Sequence, residues 1–123
     1  MRGDVSRVPP DFDKVIHERA RLRILVYLAS SQKAEQGFTD MKRDLAMTAG
    51  NLSVQLGTLE EAGYIQLRKS YVGKKPYTGA SLTLAGESAL ERYLNEMESM
   101  VALLRAGKKQ GGGNGHSFIV GNN

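Results

Sequence analysis

Between Phe38 and Gly63 the chain carries two short runs of helix-period apolar residues with almost nothing between them, and this pairing constrains what the rest can fold into. In the first run Phe38, Met41 and Leu45 fall on one face, with a very short strand expected at Phe38 and Thr39 placed to cap a helix through Ala46. In the second, Thr48 is the cap, Leu52, Leu56 and Leu59 recur at i, i+4 and i+7, and Gly63 stands where a left-handed C-terminal cap is expected. The turn between them falls at Met47-Thr48. Two short helices joined so tightly have the spacing of a helix-turn-helix.

The flanking segments supply the other elements. Tyr64 to Tyr71 alternates apolar and basic residues with a period near two, Val72-Gly73-Lys74-Lys75-Pro76 has turn chemistry, and Tyr77 to Leu82 is again strand-like, so a two-stranded hairpin with a basic tip is expected. Upstream, Pro9-Pro10 followed by Asp11 and Asp13 predicts a helix entry, and the first helix is expected to reach about Ser31. That helix is apolar on two sides, through Leu22, Leu25, Val26 and Ala29 on one and Ile16, Ala20, Ile24, Tyr27 and Leu28 on the other, so it needs cover on both. Thr83 can cap a last long helix ending near Arg105, whose stripe of Leu90, Tyr93/Leu94, Met97, Met100/Val101 and Leu104 keeps a heptad-like spacing. The rest of so small a domain cannot cover all of that stripe. A second copy of the chain is therefore the expected cover, with Ile16, Ile24, Tyr27, Leu90, Leu94, Met97, Val101 and Leu104 as the dimer interface.

The organisation that follows is a flexible N-terminal arm over residues 1–10, one domain over 11–106, and a disordered glycine-rich tail over 107–123. The fold class is mostly α with a small β-hairpin. The chain has 123 residues with 17 Lys and Arg against 13 Asp and Glu, a formal charge of +4, as expected of a protein that meets a polyanion. The basic character is local: Arg68, Lys69, Lys74 and Lys75 lie between Tyr64 and Thr78 with no acid among them, while Gly37 to Gly63 and Gly79 to Ala106 each carry two more acids than bases. Cysteine is absent, which excludes disulfides, thiolate metal sites and Cys nucleophiles. No apolar run is long enough to span a membrane, and a cytoplasmic location is expected.

Helix, short strand, helix, helix, strand, turn, strand, helix is the order of a winged helix-turn-helix. The chain resembles the MarR-like winged-helix transcriptional regulators, and in particular a small subgroup. The matching segments are Ile16-His17-Glu18, Arg21-Leu22, Gly50-Asn51-Leu52-Ser53, Leu59-Glu60-Glu61-Ala62-Gly63-Tyr64-Ile65, Gly73-Lys74-Lys75-Pro76-Tyr77-Thr78 and Leu82-Thr83-Leu84-Ala85-Gly86. They occur in the right order over about Phe12 to Val101. The chain departs from the pattern at Gln55, where such proteins often carry histidine. The resemblance implies a winged helix with a long C-terminal dimerisation helix, acting as a homodimer on double-stranded DNA.

The residues suit that expectation. A helix entering a major groove needs small or polar groups outward near its N-terminus, and the second helix of the pair offers Gly50, Asn51, Ser53, Val54, Gln55, Gly57 and Thr58. Asn51 and Gln55 have amides capable of bidentate contact with adenine, Val54 could meet a thymine methyl, and Ser53 and Thr58 suit phosphate or either base. Two outward glycines each cost about 1 kcal/mol relative to alanine, which either close approach of another surface or tight internal packing would explain. Thr48 at the helix start, with Arg68, Lys69, Lys74 and Lys75 in the hairpin, are the expected phosphate contacts, and Lys42 and Arg43 are weaker candidates beside Asp40 and Asp44. His17 reads as a packing or capping residue. No cofactor, metal site or acid/base pair is implied, so no enzymatic activity is expected. Tyr27, Tyr93, Met97 and Met100 could line an effector pocket, but core packing is the ordinary use of such a stripe. The competing expectation is a winged-helix protein–protein interaction module without sequence-specific DNA binding.

Overall fold

A computed structural model of the chain describes residues 8–111. Most of the expected N-terminal arm and of the glycine-rich tail lies outside the described residues. The elements are α1 (Arg19–Ser30), β1 (Gln36–Gly37), α2 (Phe38–Leu45), α3 (Ala49–Glu61), β2 (Ile65–Val72), β3 (Lys75–Leu82) and α4 (Leu84–Gly111). The three strands form an antiparallel sheet in the order β1-β3-β2, with Gln36 opposite Ala80 and Leu67 also opposite Ala80 from the other side. This is a winged helix: four helices, a small sheet, and a long last helix.

Local chemistry sets the boundaries. Asp13 takes the amides of Val15 and Ile16 onto its carboxylate, which closes a separate turn before α1. Glu18 then caps α1 by accepting from the Arg21 amide at 2.8 Å, so the helix begins at Arg19 rather than at the proline pair. The short strand ends at Gly37, Phe38 is already helical, and the residue before α2 is Gly37 without a side-chain cap; Thr39 lies inside the helix instead of capping it. Gly63, at φ +84°, ends α3 as expected: its amide reaches Glu60 O and the Tyr64 amide reaches Leu59 O, the paired bonds of a Schellman motif. The same pattern closes α2 around Ala46, which adopts the left-handed conformation at φ 54°. Helix α4 runs past Arg105 to Gly111, because no strong breaker precedes the glycine run that begins there.

Phe12 to Tyr93 form one compact unit, and α4 from Leu94 onward falls outside it. The core of the first unit joins Ile24, Leu25 and Leu28 of α1 to Met41, Leu45, Leu52, Leu56 and Leu59 of the helix pair, with Ile65, Ala80, Ala89 and Tyr93. Helix α1 packs against both α3 and β3, which buries Ile24, Leu25 and Leu28, while Val26 and Ala29 of its second apolar stripe stay exposed. The expectation that Ile16, Ile24 and Leu90 face a partner subunit is thereby corrected: the first two are 0% exposed and Leu90 is 6% exposed within the chain itself. A side chain wholly enclosed by its own chain has no surface to offer a second one.

The start of α4 is fastened to the end of α3. Thr83 donates its hydroxyl to Gly63 O and its amide to Tyr64 O, while Gly86 donates its amide to the Thr83 hydroxyl. A Cβ on Gly86 would lie 2.1 Å from Tyr64 O, so only glycine fits. Tyr64 is tied in turn to Asp13 through its hydroxyl. Burial raises the Asp13 pKa, but the Tyr64 hydroxyl and the two amides outweigh it and hold the carboxyl below its usual value.

Candidate nucleic-acid interface

The outward face of α3 is made by residues that neither fill the core nor shield it. Leu52, Leu56 and Leu59 take the inner stripe, leaving Gly50, Asn51, Ser53, Val54 and Gly57 exposed and Gln55 and Thr58 half-buried. Val54 is an apolar side chain left 64% exposed on that face. A Cβ at Gly50 or Gly57 would meet no atom within 4 Å. Internal packing therefore does not account for either glycine, and that alternative is removed. The hydroxyl of Thr48 accepts from the Asn51 amide at 3.1 Å, fixing the first turn of α3 as expected.

Two amides of this face are joined in a chain of hydrogen bonds. Arg21 of α1 donates from Nη1 to Gln55 Oε1 at 2.8 Å, and Gln55 Nε2 donates to Asn51 Oδ1 at 3.1 Å. Arg21 is itself anchored by its Nε–H to Val15 O at 2.6 Å. Close to the α3 N-terminus, Arg19 and Arg23 border an open depression of about 320 Å³ shared with Thr48 and Asn51. Arg23 donates to Leu45 O at 3.1 Å, at the last carbonyl turn of α2. Arg21 was named from the sequence only as part of a matching segment, and Arg19 and Arg23 were not singled out; the signal for those two was their spacing at i and i+4, one face of a helix.

The wing is a two-residue hairpin in which Gly73, at φ +65°, opens the turn and Lys74 completes it. Glycine with positive φ at the first central position is the arrangement of a type II′ turn, which suits the strand twist. Lys75 and Pro76 are thus strand rather than turn residues. Lys69, Lys74 and Lys75 are exposed, and none makes an ion pair among the described residues. Arg68 is different. Strand alternation places it on the face opposite Lys69, where it grips Glu35 with both ends of its guanidinium, at 2.8 and 2.9 Å, and lies 5.8 Å from the ring centre of Tyr77. The Arg68 hydrogen bonds hold the Glu35 carboxyl below its usual value. Gly79 makes room for this pair, since a Cβ there would run into Glu35. Arg68 therefore braces the wing to the loop before β1, and this ion pair engages two of the guanidinium nitrogens that were expected to meet phosphate.

The remaining singled-out residues fall elsewhere. Arg43 is engaged by Asp40 and Asp44 at 3.1 and 3.0 Å. Tyr27 donates to Asp44 at 2.6 Å, and that bond pushes its pKa up to about 12. His17 stacks on Phe12 and hydrogen-bonds Tyr93 at 2.7 Å, so it is a packing residue. On α4, Leu94, Met97, Val101 and Leu104 are 38–45% exposed and recur at alternating steps of three and four. Among the described residues no group of three or more His, Asp or Glu could hold a metal ion, and no helix is long and apolar enough to cross a membrane.

A helix-turn-helix whose second helix is bare and small-surfaced, followed by a lysine-tipped wing, defines a winged-helix protein of the kind that meets nucleic acid. The chain belongs to the winged helix DNA-binding domain family, whose model matches residues 20–101. It is 31% identical over 84 residues to an uncharacterized protein of Methanocaldococcus jannaschii, covering 68% of this chain and 89% of that one. Its fold is also similar to a transcriptional regulator homologue from Pyrococcus horikoshii, with a TM-score of 0.67 at 23% identity over 75% of this chain and 89% of the other. AbsC, a MarR family transcriptional regulator from Streptomyces coelicolor, is similar with a TM-score of 0.58 at 19% identity, over 70% and 61%. The fold is thus shared with MarR-type regulators.

Proposed function

We propose that the protein is a sequence-specific, double-stranded DNA-binding transcriptional regulator that acts as a homodimer in the cytoplasm and has no catalytic chemistry of its own. The observation that carries the reading is the outer face of α3, with two glycines that nothing inside the protein requires. A methyl-free backbone there lets the helix approach base edges closely. Asn51, Val54 and Gln55 read bases, with Ser53 and Thr58 at the margin. Thr48 and the amides of the α3 N-terminus, joined by Arg19 and Arg23, contact phosphate, and Lys69, Lys74 and Lys75 of the wing neutralise the backbone alongside. The wing adds affinity more than specificity.

The dimer reading rests on α4. Leu94, Met97, Val101 and Leu104 form a heptad-spaced apolar stripe that a second copy of the same helix would cover. With Ile16, Ile24 and Leu90 enclosed and Tyr27 engaged with Asp44, the interface contracts to this stripe. Two copies would present their α3 helices about one DNA turn, ~34 Å, apart and read a pseudo-palindrome. The test is a gel shift with random duplex at low salt. Retarded duplex at micromolar protein is expected; no shift would overturn the reading and favour a protein-interaction scaffold. Sedimentation should give a mass that rises with concentration toward the dimer, and a concentration-independent monomer would remove the homodimer.

A further inference from the structure

We propose that Arg21 fixes the polarity of the base-reading edge of α3, so that the protein reads hydrogen-bond acceptors, the edges of guanine or thymine, at the base pair facing Asn51 and Gln55. The inference rests on α3 being the helix that enters the groove. It concerns a residue outside the interface, which acts only by orienting others.

An arginine side chain has five N–H donors and no acceptor. The Gln55 atom facing Arg21 Nη1 at 2.8 Å must therefore be the carbonyl oxygen. The other end of the same amide is then the NH2 group, and it lies 3.1 Å from Asn51. A donor on that side requires the Asn51 atom facing it to be Oδ1. Orientation thus passes from the guanidinium through Gln55 to Asn51, and each choice follows from the one before. Arg21 cannot swing away cheaply: its Nε–H is committed to Val15 O at 2.6 Å, and Glu18 lies 3.9 Å from Nη1. Its side chain is only 18% exposed.

The consequence is chemical. A bidentate amide contact with adenine needs a carbonyl to accept from N6–H and an NH2 to donate to N7. In this relay each amide carbonyl is aimed at a donor of the protein, Gln55 Oε1 at Arg21 and Asn51 Oδ1 at Gln55, which takes one of its two lone pairs and fixes which way the amide faces. The groups left without any partner are the Asn51 Nδ2 pair of protons and the second proton on Gln55 Nε2. These are donors, and they match guanine N7 and O6 or thymine O4. Turning Gln55 round to suit adenine would set its NH2 against the part-buried guanidinium, donor facing donor.

The full-length protein is used to select duplexes from a randomised pool, alongside three variants. Counted on one fixed strand of the half-site, the wild type should enrich guanine or thymine over adenine and cytosine at the position facing α3, which sets the orientation of that base pair. Gln55→Glu should invert the preference: its carboxylate accepts from Arg21 and also from Asn51, so Asn51 turns its carbonyl outward and adenine or cytosine is favoured, a change of roughly tenfold or more in relative selection. Arg21→Met should lose discrimination at that position while the salt dependence of binding stays as in the wild type. Arg21→Lys keeps a donor-only group and should restore the wild-type preference, which a purely structural role for Arg21 would not do. If Arg21→Met does not fold, Gln55→Glu and Arg21→Lys still decide. A wild type indifferent to which strand carries the guanine or thymine, or an unchanged preference in Gln55→Glu, overturns the relay and leaves the DNA-binding reading standing. Failure of the wild type to bind any duplex overturns both.

Discussion

Gly57→Ala should make the protein more stable and at the same time a poorer DNA binder. Gly57 sits in the interior of α3, which spans Ala49–Glu61, and a Cβ there meets no atom within 4 Å. The substitution therefore adds no clash, buries nothing, and changes only the cost of holding the backbone helical, about 1 kcal/mol in favour of alanine. For a domain of this size a gain of that order raises the melting temperature by roughly 4 to 8 °C. Bound to DNA, the same methyl group stands between the helix and the groove, and losing one well-placed base contact costs about 1 to 3 kcal/mol, roughly five- to 150-fold in affinity. Thermal unfolding followed by circular dichroism, at fixed protein concentration so that dimerisation does not intrude, measures the first effect. Fluorescence anisotropy with a labelled duplex measures the second. A variant that is stabilised yet binds as tightly as the wild type would refute the claim that this glycine is there for the duplex. A variant that is destabilised would refute the packing argument itself.

Changing Lys74 and Lys75 together to alanine should weaken binding to all duplexes alike and flatten the plot of log affinity against log salt by about two units, since each phosphate neutralised contributes roughly 0.9; an unchanged slope would contradict phosphate contact by the wing tip. Gly86→Ala should destabilise the fold by about 1 to 3 kcal/mol in denaturant titration, because the new Cβ meets the Tyr64 carbonyl. Ala46→Gly should stabilise it by about 1 kcal/mol, through relief of the left-handed backbone at a residue that has a Cβ. The Glu35 carboxyl, depressed in the folded state by Arg68, contributes stability that is present above the ordinary carboxylate range and lost as pH falls through its lowered value; Glu35→Gln should flatten the acid limb of the stability profile, and an unaltered limb would show that the brace contributes nothing.

Elements whose signals are local were legible in the sequence. The Leu52, Leu56 and Leu59 stripe, the Gly63 cap, the Thr48 cap and the basic hairpin follow from spacing within a few residues, and each stands in the fold where spacing placed it. Features that depend on distant partners were not legible. Arg68 looks like a free base in its own segment, but its partner Glu35 is 33 residues away. Arg21 and Gln55, 34 residues apart, form a relay that neither local pattern predicts. Two-sided apolarity in α1 suggested a second subunit, because periodicity counts the faces to be covered without naming what covers them; β3 and α3 of the same chain pack on α1 and help bury Ile24, Leu25 and Leu28, while Val26 and Ala29 stay exposed. The start of α1 shifted for a related reason: Asp13 spends its capping capacity on the turn at Val15 and Ile16, and Glu18 takes over as the cap. Gly50 and Gly57 were visible as anomalies from the sequence, and the structure supplied the decisive fact that no internal contact requires them.

On the proposed reading, the exposed face of α3 and the lysine tip of the wing together form the surface that meets duplex DNA. Backbone amide shifts of the isotopically labelled protein, followed by NMR as duplex is added, address it directly. Changes should concentrate at Thr48 to Thr58 and at Lys69 to Lys75, with little at Tyr27 or along the Glu35–Arg68 brace. Changes confined to other surfaces, with α3 and the wing undisturbed at saturating duplex, would contradict the account.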